Sequence, residues 1–491
     1  MPMLNETREQ EIGVVVKAKR YLLTLSGLPS ARVNEIIVDL DSGNRAMVRA
    51  LSDEYVFALV LTGEVQPGDR FGYSPQENVY SVGDFLYGRV IDALGQPVDN
   101  KGSFPSANVP FRLEVEAPGI EVRNHITRQL VTGVTTVDTL IPIAKGQRQL
   151  MFGPMRSGKS TFLTRTVQTQ AAAGTVCIYA VIGKPITGLK KITEAIIDDA
   201  PAGSKVIVLS AVSDEPASLI AIAPSVAFLL AEYFQAQGED VLVVLDDLDA
   251  HAKYLREIAL LEGRLPSTES YPGDIFYQHA HLMERSGDYT DDIGGGSITA
   301  LPVIQTDLKN FSDLIPTNVM ACTDGHLSFS PSLRAQGTYP SINIAESVTR
   351  VGRQSQRTLQ KQVTRRAQRL LGQYRSQVEY AQFSSDLNEA AREILRKGSI
   401  MTALLEQHPD NRYEPWIQVV LLTLVLADFF SVDEADTEAK AMKEELVTVL
   451  RKEDEFTPLK MMVSDDDVTW EEFLEAVAAC SKSLRSYVSH S

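Results

Sequence analysis

The stretch that decides the fold is Gly153-Pro-Met-Arg-Ser-Gly-Lys-Ser160, which fits the pattern GxxxxGK[ST]. It follows an apolar segment that ends at Phe152 and precedes a helical pattern over residues 161–173. This strand–loop–helix context is the one that a phosphate-binding loop (P-loop) requires. In such a loop the backbone N–H groups and the helix N-terminus surround the phosphates. The motif therefore predicts a nucleotide site at the end of a central strand.

The loop residues have separate predicted roles. Lys159 is expected to reach the β- and γ-phosphates, and the Ser160 hydroxyl to ligate Mg²⁺. The pattern also places small or polar residues around the phosphates. The predicted ATP- or ADP-binding residues of the loop are Gly153, Arg156, Ser157, Gly158, Lys159, Ser160 and Thr161.

A second acidic signal supports a nucleotide site. The apolar run of residues 241–245 ends in Asp246 and Asp247. An acidic residue at the carboxyl end of a buried strand holds nucleotide-bound Mg²⁺ in P-loop proteins. We assign this role to Asp246 because it follows the strand directly. Asp247 is alternatively interpreted as a helix N-cap.

The residue that would activate water for hydrolysis is not evident. The first apolar run after the P-loop and its helix ends at Gly183, and Lys184 follows it. An ammonium cannot act as the carboxylate that positions or activates attacking water. Glu194 lies further along a predicted helix and is interpreted as solvated. The sequence therefore predicts nucleotide binding without an obvious catalytic base.

Three zones follow one another along the chain. Residues 1–81 contain short Val-, Ile- and Leu-rich segments separated by turns, which predicts a β-barrel. Residues 82–356 alternate apolar runs with helical patterns, which predicts a parallel α/β domain of the RecA-like P-loop type. Residues 357–491 show helical periodicity only. The predicted fold class is a β-barrel, an α/β P-loop domain and a C-terminal α-helical domain. The predicted strands are residues 12–17, 35–39, 46–51, 55–61, 149–152, 175–182, 205–211, 241–245 and 301–305.

Composition excludes several classes of protein. The 491 residues carry 47 basic and 64 acidic side chains, a net charge of −17, which disfavours a protein that coats nucleic acid. The longest apolar run, residues 419–427, is far shorter than the roughly 20 residues of a membrane span. The N-terminus is too polar for a signal peptide. Three distant cysteines, Cys177, Cys322 and Cys480, predict neither a disulfide framework nor a metal motif.

Longer stretches than the P-loop are similar to a known family. The clearest are Tyr271-Pro-Gly-Asp-Ile-Phe-Tyr277 and Ser347-Val-Thr-Arg-Val-Gly352. With them the chain resembles alpha subunits of F-type ATP synthases over nearly its full length. The other matching stretches are residues 86–95, 133–142, 294–302, 315–318, 323–325 and 381–387.

The resemblance implies an assembly. Alpha subunits alternate with catalytic beta subunits in a hexamer around a central shaft, with a peripheral stalk outside. Such a head is coupled to proton or sodium transport and reaches the membrane only through the ion-translocating sector. The implied location is the cytoplasmic side of the bacterial inner membrane, or the matrix or stroma side of an organelle. A nucleic-acid partner is not expected.

The resemblance also implies residue roles. Alpha subunits bind Mg-ATP without turning it over, and they carry Gln where beta subunits carry the catalytic Glu. Lys184 stands at that place here. Arg350 corresponds to the arginine finger that alpha lends to a neighbouring beta subunit. The family's adenine-contacting Arg-Pro corresponds to Tyr339–Pro340, and its Gln-rich contact loop begins at Gln407.

Two alternatives remain open. An autonomous homo-oligomeric P-loop ring ATPase would require a catalytic carboxylate that the sequence does not show. A structural ring subunit that no longer binds nucleotide is suggested by Tyr339 and by Pro154-Met-Arg-Ser157, which replaces the family's usual Asp-Arg-Gln-Thr. The basic stretch of residues 350–369 is interpreted as a solvated helix rather than a nucleic-acid surface, because no aromatic residues are interleaved.

Overall fold

The computed structural model describes residues 8, 10–105, 109–263, 271–306, 313–381, 388–430 and 436–488. Of the stretches that carry the family resemblance, residues 382–387 lie outside this range. The chain forms two compact units. The first comprises Met1–His125, Gly146–Phe152 and Gln170–Asp324, and the second Ile126–Lys145, Gly153–Thr169 and Gly325–Ser491. The domain boundaries at residues 81/82 and 356/357 remain predictions.

The first unit begins with a closed six-stranded barrel, as the sequence predicts. Its strand order is β1-β2-β5-β4-β3-β6, and β6 pairs back onto β1. Along β2 half-buried and buried residues alternate, so one face fills the barrel. The strands are β1 (Ile12–Lys19), β2 (Leu22–Ser26), β3 (Ile36–Asp39), β4 (Arg45–Leu51), β5 (Val56–Val60) and β6 (Arg70–Tyr73).

Two barrel strands were missing from the sequence interpretation. Strand β2 follows β1 after a two-residue turn in which Arg20 has a positive φ of 55°. Such a turn lacks the Gly or Pro that usually marks a hairpin. Strand β6 is only four residues long and contains Gly72, so its apolar signal is weak. Both were recovered only by the closed pairing of the barrel.

The first unit also contains the parallel sheet. Its strands run in the order β12-β17-β15-β13-β14-β8, and β17, β15, β13, β14 and β8 pair in parallel. Every residue of β13 and β14 is buried, as expected for a sheet covered on both faces. The strands after the barrel are β7 (Val79–Tyr80), β8 (Arg89–Asp92), β9 (Val109–Pro110), β10 (Gln129–Leu130), β11 (Ile143–Ala144), β12 (Gln149–Gly153), β13 (Val176–Ile182), β14 (Val206–Ala211), β15 (Asp240–Asp246), β16 (Gly287–Asp288), β17 (Ser297–Gln305), β18 (Gly325–Ser328) and β19 (Val348–Thr349).

Helices connect the parallel strands. Helix α1 (Lys159–Ala172) follows β12 and the P-loop, as the motif predicts, and its residues up to Thr169 belong to the second unit. Helix α3 (Ala217–Gln235) is long and apolar enough to cross a membrane by length and composition, and it is the one such helix in the described part of the chain. However, 78% of its apolar window is buried, and it packs on β13, β14 and β15. The other helices of the first unit are α2 (Ile186–Thr193), α3 (Ala217–Gln235), α4 (Leu248–Leu261), α5 (Ile275–Glu284) and α6 (Leu314–Ala321).

The second unit ends in a helical region. Every residue from Ile417 to Val425 is buried, so the longest apolar run forms a core helix. The buried Asp138 carboxylate accepts hydrogen bonds from Thr132 N (2.8 Å) and from Gln418 Nε2 (2.9 Å) in that helix. The helices are α7 (Pro331–Ala335), α8 (Thr358–Ala381), α9 (Glu389–Leu405), α10 (Pro415–Leu426), α11 (Asp436–Lys452), α12 (Thr457–Ser464) and α13 (Trp470–Val488).

A bidentate ion pair holds the edge strand β8. Arg89 Nε and Nη2 donate to the two carboxylate oxygens of Asp99 at 2.7 and 3.0 Å. The backbone N–H of Val90 also donates to Asp99, at 3.0 Å. Burial by itself would raise the pKa of Asp99, but the hydrogen bonds from Arg89 and the backbone lower it to about 2.

We expect Asp99→Asn to lower the free energy of unfolding by about 2 kcal/mol at neutral pH. A lowered folded-state pKa contributes stability above the unfolded pKa and loses it as pH falls towards the folded value. The deficit should therefore shrink below about pH 4, as measured by denaturant unfolding at several pH values. Asp41→Asn, at the fully exposed Arg70–Asp41 pair, is the control and should cost less. A deficit that is independent of pH would contradict the assignment.

Candidate functional site

The two motif glycines have backbone conformations that other residues rarely adopt. Gly153 has φ +147° and Gly158 has φ +101°. A Cβ at Gly153 would lie 2.5 Å from the Phe329 carbonyl oxygen, and one at Gly158 would lie 2.5 Å from Ser341 Oγ. Both positions therefore require glycine for conformation and for space. Arg156, between them, also has a positive φ of 62°, and its side chain is exposed.

The Lys159 side chain folds back onto the P-loop. Its Nζ donates to the carbonyl oxygens of Gly153 (2.5 Å) and Pro154 (2.8 Å), and its side chain is buried. These carbonyl dipoles hold the ammonium beside the loop where phosphates bind in P-loop proteins. Ser157 is also buried, whereas Ser160 is exposed and Thr161 is half-buried.

Ser341 is a loop contact that the sequence did not reveal. Its buried hydroxyl donates to the carbonyl oxygen of Ser157 inside the loop. Its own carbonyl accepts from Ser330 N at 2.8 Å, so the serine is fixed on both sides. The structure thereby ties the loop to the segment that follows Tyr339–Pro340, which the resemblance singled out. A serine after a proline carries no motif signal, so only the fold could identify it.

The predicted base-contact residues lie together in the second unit. The Tyr339–Pro340 peptide bond is cis, and both residues are buried. The Tyr339 carbonyl accepts from Gln407 N at 2.7 Å. The Tyr339 hydroxyl is buried and has no hydrogen-bond partner among the described residues. Burial raises the pKa of this phenol, so its hydroxyl is neutral at physiological pH.

The Gln407 side chain makes its hydrogen bonds within the chain. Its amide oxygen accepts from Thr135 N and Oγ1, both at 3.0 Å. Its amide nitrogen donates to the carbonyls of Gly133 (2.6 Å) and Asn411 (2.7 Å). An amide can make four such bonds, so this one is saturated within the chain. The geometry therefore assigns Gln407 a structural role in holding its loop, and it offers no free group to a base.

Asp246 lies at the carboxyl end of β15, as predicted, but both of its oxygens are occupied. Lys184 Nζ lies 2.9 Å from Oδ1, and the Tyr179 hydroxyl donates to Oδ2 at 2.7 Å. The Asp246 side chain is 1% exposed and that of Lys184 is 17% exposed. Burial by itself would lower the pKa of Lys184, but the charge of Asp246 raises it above its usual value. Lys184 is therefore a cation at neutral pH.

The predicted Mg²⁺ residues consequently differ in their fit. The Ser160 hydroxyl is exposed and is a suitable oxygen ligand. Asp246 does not fit as arranged, because its charge is balanced by an ammonium and both oxygens have partners. Within the described parts of the chain, no group of three or more His, Cys, Asp or Glu side chains is arranged to hold a metal ion.

Asp247 has the capping role that the sequence left open. Its carboxylate accepts from Ala250 N at 2.7 Å at the start of α4. Burial, and then the neighbouring charge of Asp246, raise the pKa of Asp247 to about 7, against the opposing effect of Lys184. The cap and the Lys184–Asp246 pair therefore form one electrostatic cluster, since each charge acts on the others.

Arg350 is presented by a firmly held turn. The Thr349 hydroxyl donates to the Pro142 carbonyl at 2.9 Å and accepts from Gly352 N at 3.0 Å. A Cβ at Gly352 would lie 1.7 Å from the Pro142 oxygen. Between these anchors the Arg350 side chain is exposed, and no ion pair with it occurs in the described residues. The backbone is thus fixed while the guanidinium stays accessible.

The basic helix that follows agrees with a solvated surface. Arg357 donates to the carbonyl of Ser464 and lies 3.4 Å from the Asp466 carboxylate. Arg366 stacks over the Trp470 ring, with the guanidinium carbon 4.3 Å from its centre. Both arginines therefore make their contacts within the second unit.

Comparison with known proteins agrees with this geometry. Residues 133–349 match the ATP synthase alpha/beta family, nucleotide-binding domain, and residues 356–480 match the ATP synthase alpha/beta chain, C terminal domain. The chain is 39% identical over 404 residues to the ATP synthase subunit alpha of Dictyoglomus turgidum, covering 82% of this chain and 78% of that one. The glycine-dependent P-loop, the strand order and the helical C-terminal region fit the same architecture. The chain therefore belongs to the ATP synthase alpha/beta family, as an alpha-type, nucleotide-binding member.

Proposed function

We propose that this chain is a non-catalytic alpha-type subunit that supplies Arg350 to the catalytic site of a neighbouring beta-type subunit. The observation that carries the proposal is the exposed guanidinium between two backbone anchors at Thr349 and Gly352. A guanidinium presented across an interface neutralises charge that develops on the transferring phosphoryl group. A fixed backbone limits the entropy lost when the finger engages.

The proposal includes ATP or ADP bound at the chain's own P-loop. Lys159 exchanges its carbonyl contacts for phosphate oxygens, and backbone N–H groups of the loop complete the cradle. Mg²⁺, when bound with the nucleotide, supplies charge neutralisation at the phosphates, and Ser160 is the residue that fits it best. Arg156, exposed on the loop, is a further candidate phosphate contact.

The chemistry at the end of β13 supports a non-catalytic role. Lys184 cannot deprotonate or orient attacking water as a carboxylate does, and its ammonium is already paired with Asp246 at 2.9 Å. Glu194, the next acidic residue along the chain, is exposed on the surface of its own unit. The functional assembly is an alternating hexamer with beta-type subunits, a central shaft and a peripheral stalk. We place it on a membrane through an ion-translocating sector that moves protons or sodium.

Arg350→Ala should slow ATP turnover by the reconstituted alpha–beta ring by about a thousandfold, because the transition-state charge loses its cation. Nucleotide binding by the isolated chain should not change. Steady-state turnover and calorimetric binding are the two measurements. Arg353→Ala removes a nearby exposed arginine and is the matched control. A ring that keeps its normal rate with Arg350→Ala rules out the finger role.

The isolated chain should bind ATP and show no turnover, because Lys184 stands where the catalytic carboxylate is expected. Phosphate release by the purified chain, with and without a beta-type partner, is the measurement. Robust turnover by the chain alone would instead favour an autonomous ring ATPase. No detectable ATP binding by calorimetry would favour a structural ring subunit.

Ser341→Ala should weaken ATP binding by about fivefold, since a single hydrogen bond that orders the loop is worth roughly 1 kcal/mol. Ser332→Ala, at an exposed serine whose hydroxyl pairs with that of Ser330, is the control and should leave affinity intact. Unchanged affinity in Ser341→Ala would show that the tether does not shape the loop.

A further inference from the structure

We propose that the Lys184 ammonium takes the place of a divalent cation at Asp246, so that this chain binds nucleotide with little dependence on Mg²⁺. The inference rests on the proposed nucleotide-binding function and specifies the cofactor requirement of that site. The sequence assigns Asp246 to Mg²⁺, whereas in the structure each of its carboxylate oxygens already has a protein partner.

The backbone delivers Lys184 to Asp246. In the parallel register Val181 lies opposite Asp246. Beyond that point Gly183 N donates to the Ala211 carbonyl at 2.7 Å, and the Lys184 carbonyl accepts from Ser213 N at 2.9 Å. The chain leaves β13 with both neighbouring peptide groups tied to the adjacent strand and its following loop. The sheet therefore fixes the backbone of Lys184 beside the end of β15, and the ion pair with Asp246 fixes its ammonium.

Gly183 makes this exit conformation accessible. It has φ +65°, and a Cβ at this position would lie 2.8 Å from the Ala250 side chain and 3.1 Å from the Tyr254 ring. Helix α4 therefore packs directly against the turn before Lys184. Glycine at this position allows the helix to approach so closely, next to the residue that pairs with Asp246.

The electrostatics favour one cation over two. Asp246 and Asp247 are both buried carboxyl groups, and Lys184 acts on each of them. A buried charge needs a partner of opposite sign and hydrogen bonds for its remaining lone pairs. Lys184 provides the first for Asp246, and Tyr179 provides the second. A divalent ion at the same carboxylate would face an adjacent ammonium, so its binding would be opposed by like charge.

Tyr179 strengthens the substitution. It stands on β13 two residues before Val181, on the same face of the strand, and its hydroxyl fills the second oxygen of Asp246 at 2.7 Å. Burial raises the pKa of this phenol far above its usual value, so the group remains a hydrogen-bond donor. A metal ion at Asp246 would have to share each carboxylate oxygen with a donor that is already bound to it. Both existing donors therefore compete with a metal ion for this carboxylate.

The test is the affinity of the full-length chain for ATP in excess Mg²⁺ and in excess chelator, measured by calorimetry. For the unaltered chain the two affinities should differ by less than about tenfold. Lys184→Gln frees one oxygen of Asp246 for the metal, so its affinity should become Mg²⁺-dependent by more than about tenfold. Lys184→Arg keeps the cation and should behave like the unaltered chain. Lys253→Gln is the control, because Lys253 is an exposed lysine that pairs with a different carboxylate, Asp249 on α4.

A direct metal readout separates metal binding from nucleotide binding. Mn²⁺ titrated into the ADP-loaded chain, followed by its electron paramagnetic resonance signal, should bind more tightly to Lys184→Gln than to the unaltered chain. Strong Mg²⁺ dependence in the unaltered chain overturns the inference and leaves the proposed function standing. Mg²⁺ independence in Lys184→Gln overturns the assignment to Lys184. No ATP binding in either buffer overturns the nucleotide-binding function and the inference with it.

Discussion

The burial of the Asp246 carboxylate is the constraint on which the centre of the first unit depends. A charge that is 1% exposed, at the end of a parallel strand that is buried from Val241 onwards, is tolerated only with compensation. The chain supplies it from the neighbouring strand β13, with an ammonium after the strand end and a phenol within it. The register that pairs Val181 with Asp246 brings both groups within hydrogen-bonding distance. The strand register is therefore what allows the buried charge of Asp246 to be neutralised.

Two cations of the chain are used in opposite ways. Lys184 is largely buried and paired, and its charge is absorbed by the carboxylates around it. Arg350 is exposed, on a turn whose backbone is held by Thr349 and Gly352. A buried paired charge acts locally, whereas an exposed guanidinium on a fixed backbone can act on another molecule. This contrast agrees with the proposal that Arg350 acts in the site of a neighbouring subunit.

Most of the architecture could be predicted from the sequence because the patterns are local. The barrel, the central apolar strands and the P-loop each have short-range signals in periodicity or glycine spacing. The two barrel strands that were missed, β2 and β6, have a turn without Gly or Pro and a very short run, so their identity depends on non-local pairing. The four-residue edge strand β8 was missed as well. The same limit applies to Gln407. Its amide is saturated by residues such as Thr135 and Gly133, more than 270 positions away in the chain.

The sequence by itself determined the order of barrel, α/β and helical regions, the phosphate loop and the lack of a carboxylate after β13. Those conclusions need only residue types at fixed spacing. Only the tertiary structure decided that Lys184 neutralises Asp246, that Ser341 ties down the loop and that the Tyr339 hydroxyl is buried without a partner. Such contacts join residues distant in the chain, and their consequences depend on distance and burial. The chemical type of each side chain could therefore be read from the sequence. The partner of each side chain depends on how distant segments pack together in the folded chain.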